Sequence, residues 1–169
     1  MTSFTAHVTL REITAATVRT ITSLEVRPEQ RGFVATNAES LAEALFAPEA
    51  WYRAIYLEDD PVGFVMLSDQ SLLPQPPENP TIWIWRFMVD GRHQGKGIGR
   101  AALHLVIEHA RSMNLFGQLL LSYVPGEGSA EALYRSVGFA PTGLVEDGEV
   151  VMALQLRASA PRCPGQLVR

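Results

Sequence analysis

Ile82-Trp83-Ile84-Trp85-Arg86-Phe87-Met88-Val89 leads, after a short gap, into Gln94-Gly95-Lys96-Gly97-Ile98-Gly99 and then Arg100-Ala101-Ala102-Leu103. The first block is aromatic and β-branched and predicts a strand; the second is a glycine-rich turn; the third opens a helix. Glycines take φ > 0 and let backbone approach a ligand, while a helix start presents unpaired N–H groups and partial positive charge. That combination binds a phosphate or a pyrophosphate.

Working outward, His7 to Arg11 reads as a short strand, and Thr14 offers an N-cap for a helix to about Leu24. Arg27 to Thr36 is polar and reads as a loop or broken helix. Asn37 is expected to cap a short helix over Glu39 to Phe46, which Pro48 helps to stop. Trp51 to Leu57 and Val62 to Leu67 read as a hairpin around Glu58-Asp59-Asp60-Pro61, and Ser68 to Pro80 holds four prolines and reads as a loop. Beyond the glycine turn, Leu103, Val106, Ile107 and Ala110 share one face of a helix over Arg100 to Met113. Gln118 to Val124 is the next strand. Ser129 to about Val137 is a helix that Gly138 ends, and Asp147-Gly148 turns a final hairpin between Phe139–Val145 and Val150–Leu156. The order is β-α-α-β-β-β-α-β-α-β-β, a mixed sheet flanked by helices, α/β or α+β according to the scheme. One domain is expected over residues 1–157, with 158–169 a tail.

Two nucleotide-binding patterns are imitated and fail. Gly97-x-Gly99-x-x-Ala102 has the form of a dinucleotide fingerprint, but three strands precede it in hairpin order and Ala110 to Ser122 supplies no acidic residue. Gly91 to Lys96 is one residue short of a P-loop, and Gly97 stands where Ser or Thr is needed.

Composition narrows the partners. A net charge of −4 argues against nucleic acid and suits a cationic substrate. No run approaches the ~20 apolar residues of a membrane helix, and Met1 to Arg11 lacks a signal-peptide core, so a cytoplasmic protein away from the membrane is expected. The lone Cys163, between prolines, excludes an intrachain disulfide and reads as a surface thiol. His104 and His109 do not share a helix face, and no metal site is expected.

Gln94-x-x-Gly97-x-Gly99, followed by a helix, a strand and Leu133-Tyr134-x-x-x-Gly138-Phe139, resembles the GNAT superfamily of acetyl-coenzyme A-dependent N-acetyltransferases. The likeness covers His7 to Leu156. It implies that the backbone of Gln94, Gly95, Lys96, Gly97, Ile98, Gly99 and Arg100 holds the coenzyme A pyrophosphate. Main-chain groups of Phe87, Met88 and Val89 would pair with the pantetheine arm, and the strands Ile82–Val89 and Gln118–Val124 would splay apart. Tyr134 matches the tyrosine that gives a proton to the departing thiolate; a phenol, with pKa ~10, is a neutral donor at pH 7. Where members often carry Asn beside the cofactor arm, this chain has Glu127.

Leu24 to Leu41 and Trp85-Arg86-Phe87-Met88 look like the spermine/spermidine branch, which makes Phe33, Asn37, Trp85 and Tyr123 the expected substrate-binding residues. The implied reaction is acetyl transfer to a primary amine of a small molecule, with polyamine the leading class. An amino acid, antibiotic or protein amine is the alternative, and a non-catalytic acyl-coenzyme A sensor the reading outside enzymes. A homodimer is expected from the resemblance only. With no Gly-x-Ser-x-Gly elbow, direct attack in a ternary complex is preferred to an acyl-enzyme. The base is left among Glu25, Glu58 and Glu127, with Tyr123 as a relay. Arg86 is expected to pair with Glu58 or Asp69, or to position an acid or an anionic substrate group. Trp83, Trp85 and Phe87 are expected on one strand face, and His93 beside the phosphate turn.

Overall fold

A computed structural model describes residues 7–157. Met1 to Ala6, the expected tail over 158–169 and Cys163 lie outside the described residues. The elements are β1 (Val8–Arg11), α1 (Val18–Thr22), α2 (Asn37–Ala44), β2 (Ala50–Leu57), β3 (Asp60–Asp69), β4 (Ile82–Val89), α3 (Ile98–Ser112), β5 (Gln118–Tyr123), α4 (Glu131–Ser136), β6 (Ala140–Glu146) and β7 (Glu149–Gln155), with single 3-10 turns at Pro28–Gln30 and Gln70–Leu72. The seven strands form one sheet in the order β1-β2-β3-β4-β5-β7-β6. Every pair is antiparallel except β4 with β5. The mixed α/β sheet of the sequence reading is the fold observed.

Helices cover both faces. On one, the α3 stripe Leu103, Val106, Ile107 and Ala110 packs with Tyr134 of α4 against Ile82, Ile84, Leu119, Leu121 and Met152 of the sheet. On the other, Ile21 of α1 and Leu41 of α2 pack on Tyr56, Phe64, Met66 and Met88.

Local departures have local causes. Thr36, not Asn37, caps α2: its hydroxyl accepts from the Glu39 amide while the Glu39 carboxylate accepts from the Thr36 amide, a reciprocal capping box. Asn37 is therefore inside the helix. Thr14 does not cap α1 with its side chain; an intervening turn delays the helix to Val18. Ser68 and Asp69 extend β3 rather than the proline-rich loop, because they pair with Trp83 and Ile82.

One irregularity organises the rest. In the β3–β4 ladder Leu67 pairs with Ile84 and Met66 with Arg86, which leaves Trp85 as an extra residue. Such a bulge bends the strand and shifts side-chain alternation by one. The parallel ladder between β4 and β5 ends at the same place, after the pairs Ile82–Leu119, Trp83–Leu120 and Ile84–Leu121. From Trp85 to Val89, β4 runs unpaired on its β5 side. The bulge also overturns the expectation that Trp83, Trp85 and Phe87 share a face. Phe87 packs with the α3 side and Trp85 with the α1–α2 side.

Close packing behind this segment is tight at Gly63 of β3, where a Cβ would lie 2.5 Å from the Met88 carbonyl oxygen. Gly63→Ala is expected to lower stability by about 1–3 kcal/mol, since backbone cannot give way as a side chain can. Thermal unfolding followed by circular dichroism measures it.

Candidate active site

Where β4 and β5 part, a cleft of about 1160 Å³ passes through the sheet. On the α3–α4 side its lining includes Gly97, Gly99, Leu133 and Tyr134; on the other, Phe33, Trp83, Trp85 and Ser122. Phe87, Met88 and Val89 of the unpaired strand run along it.

The glycine turn forms one end. Gly95 and Gly97 have φ of 76° and 80°, and a Cβ at either would meet nothing within 4 Å, so open space faces the turn. Gly97 is the N-cap of α3, whose first amides have no carbonyl partner in their own turn. Gly99 is needed for another reason: a Cβ there would stand 3.1 Å from Leu133 Cδ2. Gln94 Nε2 donates to the Val89 carbonyl (2.9 Å) and to Gln30 Oε1 (2.8 Å), fastening the turn to β4 and to the loop after α1. Arg100 lines the cleft, and its guanidinium reaches Ser136. Gln94, Gly95, Gly97, Gly99 and Arg100 line the cleft, whereas Ile98 is core, 3 % exposed, and Lys96 Nζ folds back to the Arg92 carbonyl, so neither of these two expected residues is in the lining. Open space beside free helix-start amides can accept an anion such as a phosphate.

Tyr134 is placed by how α4 stops. The Phe139 amide bonds the Tyr134 carbonyl and the Gly138 amide bonds the Arg135 carbonyl, with Gly138 at φ 107°. This is a Schellman stop, and its usual apolar contact is the edge-on packing of Phe139 on Tyr134, ring centroids 6.1 Å apart. Tyr123 packs on the other side at 6.4 Å. Burial first, and then the negative charge of Glu149, push the Tyr134 phenol up to about 12. Burial and the neighbouring Glu131 carboxylate push Tyr123 up as well.

Phe33, Trp85 and Tyr123 line the cleft with Tyr134; Asn37 does not. Its side chain is buried and donates to the Ile21 carbonyl (2.8 Å) and Met88 Sδ (3.6 Å), tying α2 to α1. Glu25, Glu58 and Glu127 are also absent from the lining. Glu25 pairs with Arg31, and Glu58 accepts from the His7 amide. Glu49, Glu146 and Glu149 line the cleft instead. Sequence reasoning missed them because two belong to the β6–β7 hairpin, which reaches the cleft only through the non-local pairing of β7 with β5. Arg86 pairs with Glu43 of α2 at 3.0 Å, neither with Glu58 nor with Asp69. Asp69 instead caps the turn at Ser71. Among the described residues no three potential metal ligands cluster, and no helix is long and apolar enough to cross a membrane.

Asp90 anchors the exit of β4. Buried to 3 % exposure, it accepts from the Arg92 side chain (2.8 and 3.2 Å), the Arg92 amide (3.0 Å) and the Glu25 amide (3.2 Å). Chiefly the Arg92 side chain holds its carboxyl down at about 2 against the cost of burial, and the two amides add to that.

Residues 21–139 match the acetyltransferase (GNAT) family. The spermine/spermidine N(1)-acetyltransferase of Bacillus subtilis (strain 168) is 27% identical over 150 residues, spanning 88% of this chain and 99% of its own. An aminoglycoside acetyltransferase solved with coenzyme A superposes with a TM-score of 0.70 at 16% identity, covering 88% of this chain and 95% of that one. The PaiA N-acetyltransferase of Thermoplasma acidophilum, also with coenzyme A, gives 0.66 at 11%, over 88% and 99%. The fold is shared with both.

A lowered carboxyl pKa stabilises the fold above the unfolded value of ~4 and ceases to do so as pH falls through the folded value. The Asp90 contribution should therefore disappear between about pH 4 and pH 2. Asp90→Asn is expected to be less stable at neutral pH and to lose less over that interval, as urea unfolding at a series of pH values would measure.

Proposed function

The chain belongs to the acetyltransferase (GNAT) family, and from that premise we propose that it moves the acetyl group of acetyl-coenzyme A to a primary amine of a polyamine by direct attack in a ternary complex. The observation that carries this reading is the cleft through the parted strands, which gives two ligands access from opposite faces of one sheet. The amides from Gln94 to Arg100 take the pyrophosphate, and the unpaired backbone of Phe87 to Val89 takes the pantetheine arm as an added strand would be taken. Bound there, acetyl-coenzyme A supplies an activated thioester.

The residues of this chain manage protons and position. Tyr134 gives its proton to the leaving sulfur; with its phenol near 12, it stays protonated across the neutral range. Phe33 and Trp85 form the acceptor wall, and Tyr123 lines the cleft beside Tyr134. For a polyamine the supporting feature is charge: Glu49, Glu146 and Glu149 line the cleft and enter no ion pair among the described residues. Uncompensated carboxylates favour a cationic acceptor. The acceptor in the Bacillus subtilis relative's name points the same way. A cytoplasmic location and a homodimer belong to the same proposal and are supported by family membership.

Thiol release from acetyl-coenzyme A is expected with spermidine and spermine, and to be much slower with amino acids, an aminoglycoside and a lysine peptide. Preference for one of the latter would reassign the acceptor. Silence with every amine while acetyl-coenzyme A binds would favour the sensor reading. Tyr134→Phe is expected to lower kcat by about a hundredfold or more with the KM for acetyl-coenzyme A unchanged. For the wild type, no loss of rate attributable to Tyr134 should occur below about pH 10, because its phenol titrates near 12.

A further inference from the structure

A free primary amine with pKa ~10.4 is almost wholly an ammonium at neutral pH and cannot attack until it loses a proton. The acetyl-transfer reading therefore needs a proton acceptor on the acceptor side of the sheet. We propose that Glu149, held by Ser122, is that acceptor, either directly or through one water.

Placement is the first reason. Ser122 pairs with Val151 across the β5–β7 ladder, and Tyr123 with Val150. Tyr123, Val150 and Met152 point into the α3–α4 core. Alternation then sends Ser122, Val151 and Glu149 to the opposite face, the one that α1 and α2 help to cover. Ser122 sits just past the last parallel pair, Ile84 with Leu121, where the strands have begun to part. Both Ser122 and Glu149 line the cleft.

The second reason is how Glu149 is held. Its Oε2 accepts a hydrogen bond from the Ser122 hydroxyl, while Oε1 has no protein partner among the described residues. One oxygen is thus fixed and the other left available. Glu49 precedes β2 and Glu146 ends β6, and among the described residues neither carboxylate is held by a hydrogen bond.

Third, Glu149 and Tyr134 line the same cleft, and the charge of Glu149 is felt at the Tyr134 phenol. The negative carboxylate also helps keep the phenol protonated, which is the state Tyr134 needs to be an acid. Acid and base are separated by the sheet itself.

The protons balance. The ammonium gives one proton to Glu149, and the freed nitrogen pair bonds the acetyl carbon. The carbon–sulfur bond breaks with its electron pair going to sulfur, and Tyr134 protonates that sulfur. The second nitrogen proton restores Tyr134, and Glu149 releases its proton to solvent. The products are the N-acetylated amine, coenzyme A and one proton.

Glu149→Gln keeps shape and hydrogen bonding and tests the role. With spermidine at neutral pH its kcat/KM should fall about a hundredfold or more, while acetyl-coenzyme A still raises the melting temperature as in the wild type. The deficit should shrink as pH rises toward about 10, because the substrate then supplies its own neutral amine. The titratable and charged groups that share the cleft with Glu149 are Arg31, Glu49, Arg86, Arg100, Tyr123, Tyr134 and Glu146; Glu146 is its cross-strand neighbour, and Tyr134 feels its charge from the other side of the sheet. Tyr134 is held near 12, so the amine changes protonation ahead of it, and burial pushes Tyr123 upward as well. Ser122→Ala should show a smaller loss with the same pH trend, and Glu58→Gln, at the distant β2–β3 turn, none. A Glu149→Gln enzyme with wild-type turnover, or with a deficit that stays constant with pH, would overturn the assignment while leaving the acetyltransferase intact. A wild type that releases no thiol with any amine would overturn that reading and this inference together.

Discussion

The extra residue in β4 is the constraint from which the site follows. A sheet of hydrogen-bonded strands has no reason to open in its middle, because every separated peptide group forfeits a partner. Trp85, unmatched against β3, bends β4 at the point where its pairing with β5 ends. One misfit therefore does three things. It parts the strands, leaves the backbone of Phe87 to Val89 without a β5 partner, and reverses which side chains meet which layer of helices. The rest of the fold holds the misfit in place: α3 and α4 pack one side, α1 and α2 the other, and Gly63 lets β3 lie close beneath Met88.

What could be read in the chain followed from local physics. The order of elements came from hydrophobic period, turn residues and caps, and β4 was bounded as observed because an aromatic, β-branched run ends at Asp90. The glycine turn and Tyr134 were legible because backbone geometry and motif spacing are written locally. Arg86 shows where legibility stops. Its need for a partner was clear, but which carboxylate answers it depends on how α2 lies over β4, and that brings Glu43 rather than Glu58 or Asp69. Asn37 shows a second limit. A polar residue ahead of a helix looks like a cap, yet Thr36 has the better geometry with Glu39, and Asn37 becomes an internal tie. Glu149 was illegible for a third reason: its neighbour Ser122 is 27 positions away and meets it only across the β5–β7 pairing.

The Leu133-Tyr134-x-x-x-Gly138-Phe139 pattern also has a mechanical meaning. Gly138 stops α4, Phe139 folds back on Tyr134, and the helix ends with that tyrosine held between two rings in a buried wall of the cleft. The spacing is that of a helix terminus, and the tyrosine ring takes its rigidity from it. Burial that fixes the ring also raises its pKa, so placement and acidity have one cause.

The parted strands bear on the solubility of the chain. An unpaired strand edge is an invitation to any extended polypeptide, and proteins blunt such edges when they face outward. The outer edges here are blunted: β1 has only four residues, and β6 carries Pro141, Gly143 and an irregular register between Pro141 and Val145. The β4 edge after Ile84 carries neither a proline nor a glycine, yet it opens inward, beneath α4 and opposite the Phe33 loop. The template most able to recruit a foreign strand is thereby turned away from the strand edges of other chains and faces the cleft instead.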